Sequence, residues 1–252
     1  VVCVDGTTGI VRLLACPDTD INTHVLAEGL MRSFADSEAP RDVAAISTVT
    51  TGAGAENARW GCLNFSFFDM KREAVRVKQA GRGGTGTVFR DKRIAAVVVK
   101  SPPVNAKSNN PAHPERLREA GERINREILE LDASQCDMRR VGTSHLVEIM
   151  DEYDLLPTHN YKFGRHPESG NISSPVWRER FAQNMPDGCW LGCTMSCSHA
   201  VDDFPLRTGP YKGDRVIVDG PEYETAAGSA NMGCFSPEFV LEMNFYCDTY
   251  GI

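Results

Sequence analysis

The sequence lacks an uninterrupted apolar run near the roughly 18 residues that a membrane span needs. It also lacks a basic stripe with interleaved aromatics. Its 27 Lys and Arg are scattered among 34 Asp and Glu for a net charge of −7, which argues against a nucleic-acid partner. No charged and then apolar leader stands at the start, because Val1 opens directly into strand-like sequence; a cytoplasmic enzyme is the expectation. A disulfide framework is equally missing, since nine cysteines are an odd count in a chain of this size. No internal repeat or low-complexity stretch stands out.

What is present is enough apolar residue, 41% of 252 positions, to bury one large core or two small ones. The first hundred residues read mainly as strands. Val1–Val4 and Ile10–Leu14 flank the turn Asp5-Gly6-Thr7-Thr8-Gly9 as a hairpin. Asn22–Phe34 reads as a helix, and Val43–Val49, Cys62–Phe68 and Ile94–Val99 as strands. Ser101–Pro114, with four prolines, reads as a domain boundary. Beyond it, Leu117, Ala120, Ile124, Ile128 and Leu131 recur at helical spacing. A further helix spans about Ser144–Tyr153. Ser236-Pro237-Glu238 is a strong helix start, and Gly251 would end that helix.

Six cysteines are dispersed and read mostly as buried small apolar groups. The other three form Gly188-Cys189-Trp190-Leu191-Gly192-Cys193-Thr194-Met195-Ser196-Cys197. Three thiolates at this spacing can meet one metal centre, and soft anionic sulfur suits iron–sulfur clusters. Three alternatives stay open: buried thiols on a loop, zinc through Cys193, Cys197 and His199, and a radical enzyme using S-adenosylmethionine. Ala80-Gly81-Arg82-Gly83-Gly84-Thr85-Gly86 looks superficially like a dinucleotide loop. That reading is rejected, because the fingerprint needs a strand before and a helix after, whereas the charged segment Lys71–Lys78 precedes this loop and a strand-like run follows it. Its glycines can still bring backbone N–H groups to an anion, with Lys78 and Arg82 suiting phosphate oxygens; a plain connecting turn is the competing reading. Glu222 and Glu224, beside a Gly-Pro turn, could donate protons or simply be a solvated turn. Cys234 stands just before a helix start, as a reactive or metal-binding thiol or as a small buried residue.

In this order and spacing, Gly54–Asn57, Ala80–Gly86, the cysteine cluster, Gly220–Glu224 and Asp248–Ile252 resemble the aldehyde:ferredoxin oxidoreductase family over essentially the whole chain. The resemblance implies an α+β fold. Residues 1–101 would be the C-terminal part of a β-rich pterin-binding domain, and 102–252 the first part of a mainly helical domain. It further implies an interior fragment of a longer subunit. The implied cofactors are a tungsten (or molybdenum) bis-pterin, magnesium bridging the pterin phosphates, and a 4Fe–4S cubane.

By position, the resemblance assigns Cys189, Cys193 and Cys197 to the cubane, with three residues between the first pair where the family usually has two. Lys78, Gln79, Ala80, Gly81, Arg82 and Gly83 fall at the turn near the phosphates and magnesium. Asp248 and Gly251 fall on a D-x-x-G-L pterin motif, with Ile252 in place of leucine, and Glu224 on an acid near the metal. Two reactions are implied. One is reduction of benzoyl-CoA, for which Cys234 would bind tungsten and Glu224, with Glu222 or His199 behind it, would supply protons. The other is oxidation of an aldehyde to an acid. The implied partners are an acyl-CoA or aldehyde substrate and ferredoxin or an iron–sulfur electron-transfer subunit, in a hetero-oligomer.

Overall fold

The structure is a computed structural model that describes residues 1–16, 22–101, 111–135, 137–181, 183 and 193–252. The chain falls into two compact units, Val1–Asn110 with Tyr246–Ile252, and Pro111–Phe245. Its fold class is α+β.

In the first unit, β1 (Val2–Asp5) and β2 (Ile10–Leu13) form the expected antiparallel hairpin. α1 (Thr23–Phe34) starts at Asn22, whose side-chain oxygen accepts from the backbone N–H of His24 at 2.9 Å. A single turn, α2 (Pro40–Val43), takes Val43 out of the strand the sequence implied, so β3 runs Ile46–Thr50. β4 (Leu63–Asp69), β5 (Ala74–Ala80), α3 (Thr85–Asp91) and β6 (Ala96–Lys100) follow. Among the described residues the strands make one mixed sheet in the order β2-β1-β6-β3-β4-β5. β1 and β6 run parallel, and the other neighbours antiparallel.

β5 and α3 correct the reading of the glycine-rich loop. The segment that looked merely charged is a strand, and the loop does open a helix. The dinucleotide reading still fails, for a different reason: the ladders make β5 antiparallel to β6, so β5-α3-β6 is not a parallel crossover unit.

α1 lies over one face of this sheet. Leu26, Leu30 and Met31 bury against Val43, Ile46, Ala96 and Val98, with Phe68 and Val75 at the margin. Strand alternation puts the next rows of β3, β4 and β5 on the same face. They run from Ile46–Phe68, through Thr48–Ser66–Val77, to Thr50–Asn64–Gln79. The covered face therefore grades from apolar to polar towards one end of the sheet.

The second unit opens with α4 (Pro114–Gln135), the helix expected from the spacing. Its Leu117, Ile124 and Leu131 remain exposed. α5 (Met138–Val141), α6 (Leu146–Glu152) and α7 (Ser174–Arg180) follow, the last around the fully buried Trp177. β7 (Val201–Pro205) pairs antiparallel with β8 (Arg215–Val218). α8 (Tyr223–Asn231) and α9 (Pro237–Tyr250) end the chain. α9 starts at Ser236 as expected; its residues from Tyr246 onward count with the first unit. No helix among the described residues is long and apolar enough to cross a membrane.

Two outcomes follow from the first unit's core. Leu30→Ala should lower stability by roughly 2–5 kcal/mol, whereas Val25→Ala on the exposed side of α1 should leave denaturant melts within about 0.5 kcal/mol of the parent. The second concerns His24, whose Nε2 is buried. Burial, and then the Arg76 guanidinium, push its imidazole down from 6.5 to about 4. The unfolded chain takes this proton below about pH 6.5 and the folded chain only below about pH 4. Stability should therefore fall as pH drops through that window, by about 3 kcal/mol in all. Denaturant melts at stepped pH should show the slope, and His24→Gln should flatten it.

Candidate functional site

Three of the segments singled out in the sequence meet in the first unit. The chain's last residues lie so close to the Gly52–Asn57 loop that side chains are excluded. A methyl group on Gly52 would come to 2.2 Å from the Tyr250 carbonyl oxygen, and one on Gly54 to 2.5 Å from Ile252 Cγ2. Gly251 adopts the left-handed conformation (φ +70°), and a methyl there would meet Gly52 N at 2.5 Å. The Cys62 N–H donates to the Gly251 carbonyl at 2.9 Å. The glycine-rich segment joins the same loop. Gly86 N–H donates to Gly61 O at 2.8 Å, and Thr87 Oγ1 donates to Ala58 O at 2.6 Å. Asp248 is buried, and its carbonyl accepts from Thr23 Oγ1 on α1 at 2.6 Å.

Beside this junction stands the polar row Thr50–Asn64–Gln79. Among the described residues, Thr50 Oγ1, both amide atoms of Asn64 and Gln79 Nε2 are buried without a hydrogen-bond partner. Asn64 is fully enclosed, and its Nδ2 would lie 3.4 Å from a methyl on Gly251. Buried polar groups are almost always paired, and an unpaired one costs roughly 1–3 kcal/mol. Three adjacent side chains in this state are built to meet a polar ligand that alternates donors and acceptors. The residues next to Gln79 suit the periphery of such a ligand. Ala80 closes β5, Gly81 opens on free space, and Arg82 is exposed. Lys78 and Gly83 complete the expected set on this segment.

Two thiols of the first unit are held in the protonated form. Burial, and then the Asp248 carboxylate, push Cys62 up to about 11 and raise Cys247. Both stay protonated at neutral pH. Cys3 is also buried, as expected for a small apolar residue, whereas Cys16 is half-buried.

In the second unit, Cys193 and Cys197 lie half-buried on a turn closed by Ser196, whose Oγ donates to Cys193 O at 3.1 Å. Cys189 and Cys136 lie outside the described residues, so the full three-cysteine set is not on view. Among the described residues no three His, Cys, Asp or Glu side chains converge as a metal ion requires. His199 follows the turn with Nε2 placed 3.0 Å from Arg139 O, an engagement with backbone. A methyl on Gly220 would come to 3.1 Å from the His199 backbone.

Glu222 is the N-cap residue of α8 and Glu224 lies in its first turn, exposed. At the far end of α8, Cys234 is gripped on both flanks. Its N–H donates to Ser229 O at 3.0 Å, and its carbonyl accepts from Ser229 Oγ at 2.6 Å. Gly233 packs on the His159 ring, 2.7 Å from where its methyl would be, and Phe235 stacks on His166 at 4.1 Å. His159, Asn160 and Tyr161 are all left-handed, with φ of 51°, 57° and 62°. Three such non-glycine residues in succession store strain, which clusters at functional sites. Their N–H groups bond Ala230 O, Asn231 O and Asn231 Oδ1, so the turn clamps the end of α8.

Thr50, Asn64 and the His159–Tyr161 turn were not candidates from the sequence. Asn64 did leave one trace, as a polar residue that alternates with the phenylalanines of its strand, as Ser66 does.

Residues 119–252 match the model of the family described as aldehyde ferredoxin oxidoreductase, domains 2 and 3. The tungsten-containing aldehyde ferredoxin oxidoreductase of Pyrococcus horikoshii is 28% identical over 183 residues, covering 69% of this chain and 26% of its own length. The protein of the same name from Pyrococcus furiosus is 27% identical over 180 residues, 69% of this chain and 27% of its own. The chain thus spans about a quarter of the length of the curated relatives it matches.

The junction itself is testable. Gly251→Ala meets both a left-handed backbone and Gly52 N, and should cost roughly 2 kcal/mol or more. Gly9→Ala has a similar φ of +72° but open space around it, and should cost only about 1 kcal/mol. Paired denaturant melts separate the two.

Proposed function

Because the chain belongs to the aldehyde ferredoxin oxidoreductase family, we propose that it forms part of an oxidoreductase that holds a tungsten (or molybdenum) bis-pterin and a 4Fe–4S cubane. The observation that carries this reading is the unpartnered row Thr50–Asn64–Gln79 beside the glycine junction. A pterin ring edge alternates N–H donors with carbonyl and ring-nitrogen acceptors, which is what an enclosed amide can pair with. Asp248 and Gly251 would present the matching motif from the chain's end. Gln79, Ala80, Gly81 and Gly83, with Lys78 and Arg82, would serve the phosphates and their magnesium. Cys189, Cys193 and Cys197 would ligate the cubane. The bound metal and pterins would supply two-electron chemistry.

For the reaction, we favour reduction of the aromatic ring of benzoyl-CoA by two electrons and two protons, giving a cyclic dienoyl-CoA. The grip on Cys234 from Ser229 and from both flanking residues supports it, because a thiolate ligand to tungsten has to be held in place. Glu224, free on the surface of this chain's α8, is the first choice to supply protons. Glu222 is second, and His199, engaged by Arg139 O, comes last. The second reading is oxidation of an aldehyde to an acid, in which water supplies the oxygen, two electrons pass to ferredoxin and two protons are released; the names of the relatives favour it. Either reaction needs an electron-transfer partner, ferredoxin or an iron–sulfur subunit.

The decisive experiment is metal analysis of the complete gene product purified without oxygen, with parallel benzoyl-CoA and aldehyde assays. Tungsten, iron and ring reduction are expected. Aldehyde oxidation without ring reduction would overturn the substrate; absence of tungsten and molybdenum would overturn the cofactor. Asn64→Leu should strip pterin while leaving iron in place, read by cofactor extraction. Cys234→Ala should lower tungsten content and ring reduction at least tenfold; full retention of both would sink the ligand assignment.

A further inference from the structure

One short element holds the cysteine turn of the second unit from two sides. Arg139, on α5, donates from Nε to the Thr194 carbonyl at 3.1 Å, a position between Cys193 and Cys197. Its own carbonyl lies 3.0 Å from His199 Nε2, two residues beyond Cys197. Thr143, just after α5, donates its N–H to Cys197 O at 3.2 Å. Gly142 makes the close approach, since a methyl there would lie 3.4 Å from Cys197 O. The clip is anchored in turn, because the buried Asp132 carboxylate accepts from the N–H groups of Met138 at 2.7 Å and Arg139 at 3.0 Å. Asn125 on α4 adds a side-chain bond to Thr194 Oγ1.

The turn needs such support. Ser196 adopts a left-handed backbone (φ +45°) between the two cysteines, a conformation that costs about 1–2 kcal/mol and persists where neighbours impose it. Arg139 also brings a positive charge. A guanidinium bonded to the carbonyl of the residue after Cys193 favours the more reduced, more negative state of any cluster carried there.

We infer that Arg139 is a positioning residue for the cysteine turn, holding its geometry by hydrogen bonding and setting the potential of the cluster by its charge. The inference rests on the reading that Cys193 and Cys197 carry an iron–sulfur cluster. It adds behind the ligands a supporting residue 54 positions away from Cys193.

The test uses the complete gene product, with Arg139→Ala, Arg139→Gln and Arg139→Lys. Arg140→Ala is the control, because Arg140 pairs with Asp137 instead. Three quantities are read: iron retained under chelator challenge, the cluster midpoint potential by spectroscopic titration, and hydrogen exchange of residues 193–199. Arg139→Ala should release iron roughly tenfold more readily, and exchange at 193–199 should quicken. Arg139→Ala and Arg139→Gln should both shift the potential to more negative values, and Arg139→Lys should restore it. An Arg139→Ala protein that matches the parent in iron retention and potential would overturn the inference. A Gln variant with the parent's potential would overturn its electrostatic half. A parent protein without an iron–sulfur chromophore would overturn the cluster reading and the inference together. A parent with a cluster that Arg139→Ala leaves unchanged would overturn the inference alone.

Discussion

The first unit depends on two backbones approaching more closely than side chains permit. Gly52 and Gly54 on one side and Gly251 on the other bring the chain's end against a loop two hundred residues earlier in the sequence. The contact is sealed by the hydrogen bond from Cys62 to Gly251. Every neighbouring feature takes its position from it. The loop that accepts Gly251 also anchors Gly86 and Thr87, and the turn after Asp248 reaches the start of α1 through Thr23. A methyl group at the crossing would push Tyr250–Ile252 away from the loop that also anchors Gly86 and Thr87.

The polar row beside that crossing is expensive in isolation. Elsewhere under α1 the sheet is satisfied, either by apolar packing or, at Thr48 and Ser66, by a hydroxyl pair at 2.8 Å. On the sheet itself the cost is thus concentrated in the Thr50–Asn64–Gln79 row. Stability given up in one place, while the rest of the same surface follows ordinary rules, is the usual mark of a surface shaped for something other than folding. The thiols nearby do not share this character, since Cys62 and Cys247 are held protonated by desolvation and by Asp248.

Much of the fold could be read from local signals. Ser236 announced its helix by capping, and the apolar spacing of Leu117 to Leu131 announced α4. The failures have physical causes. β5 was hidden because it is an edge strand, where Arg76 and Lys78 are tolerated among Val75, Val77 and Gln79; its period of two was present under the charge. β3 began late because Pro40 starts a helical turn that absorbs Val43. The site was legible only where its residues lie together in sequence. The cysteine spacing and the Asp248–Ile252 motif could be seen, but the Thr50–Asn64–Gln79 row exists only after three strands are set in register. Arg139 likewise carries no local mark, since its significance comes from a carbonyl in a distant turn.

Because Tyr246–Ile252 belong to the first unit, that unit is not assembled in the order in which it is made. A ribosome would emit β1 to β6 and α1 early, then spend roughly 7–27 s on Pro111–Phe245 before Tyr246–Ile252 appeared. During that interval Gly52, Gly54 and Asn64 would face solvent or a chaperone, not Gly251. Assembly of the first unit is therefore gated by translation of the second.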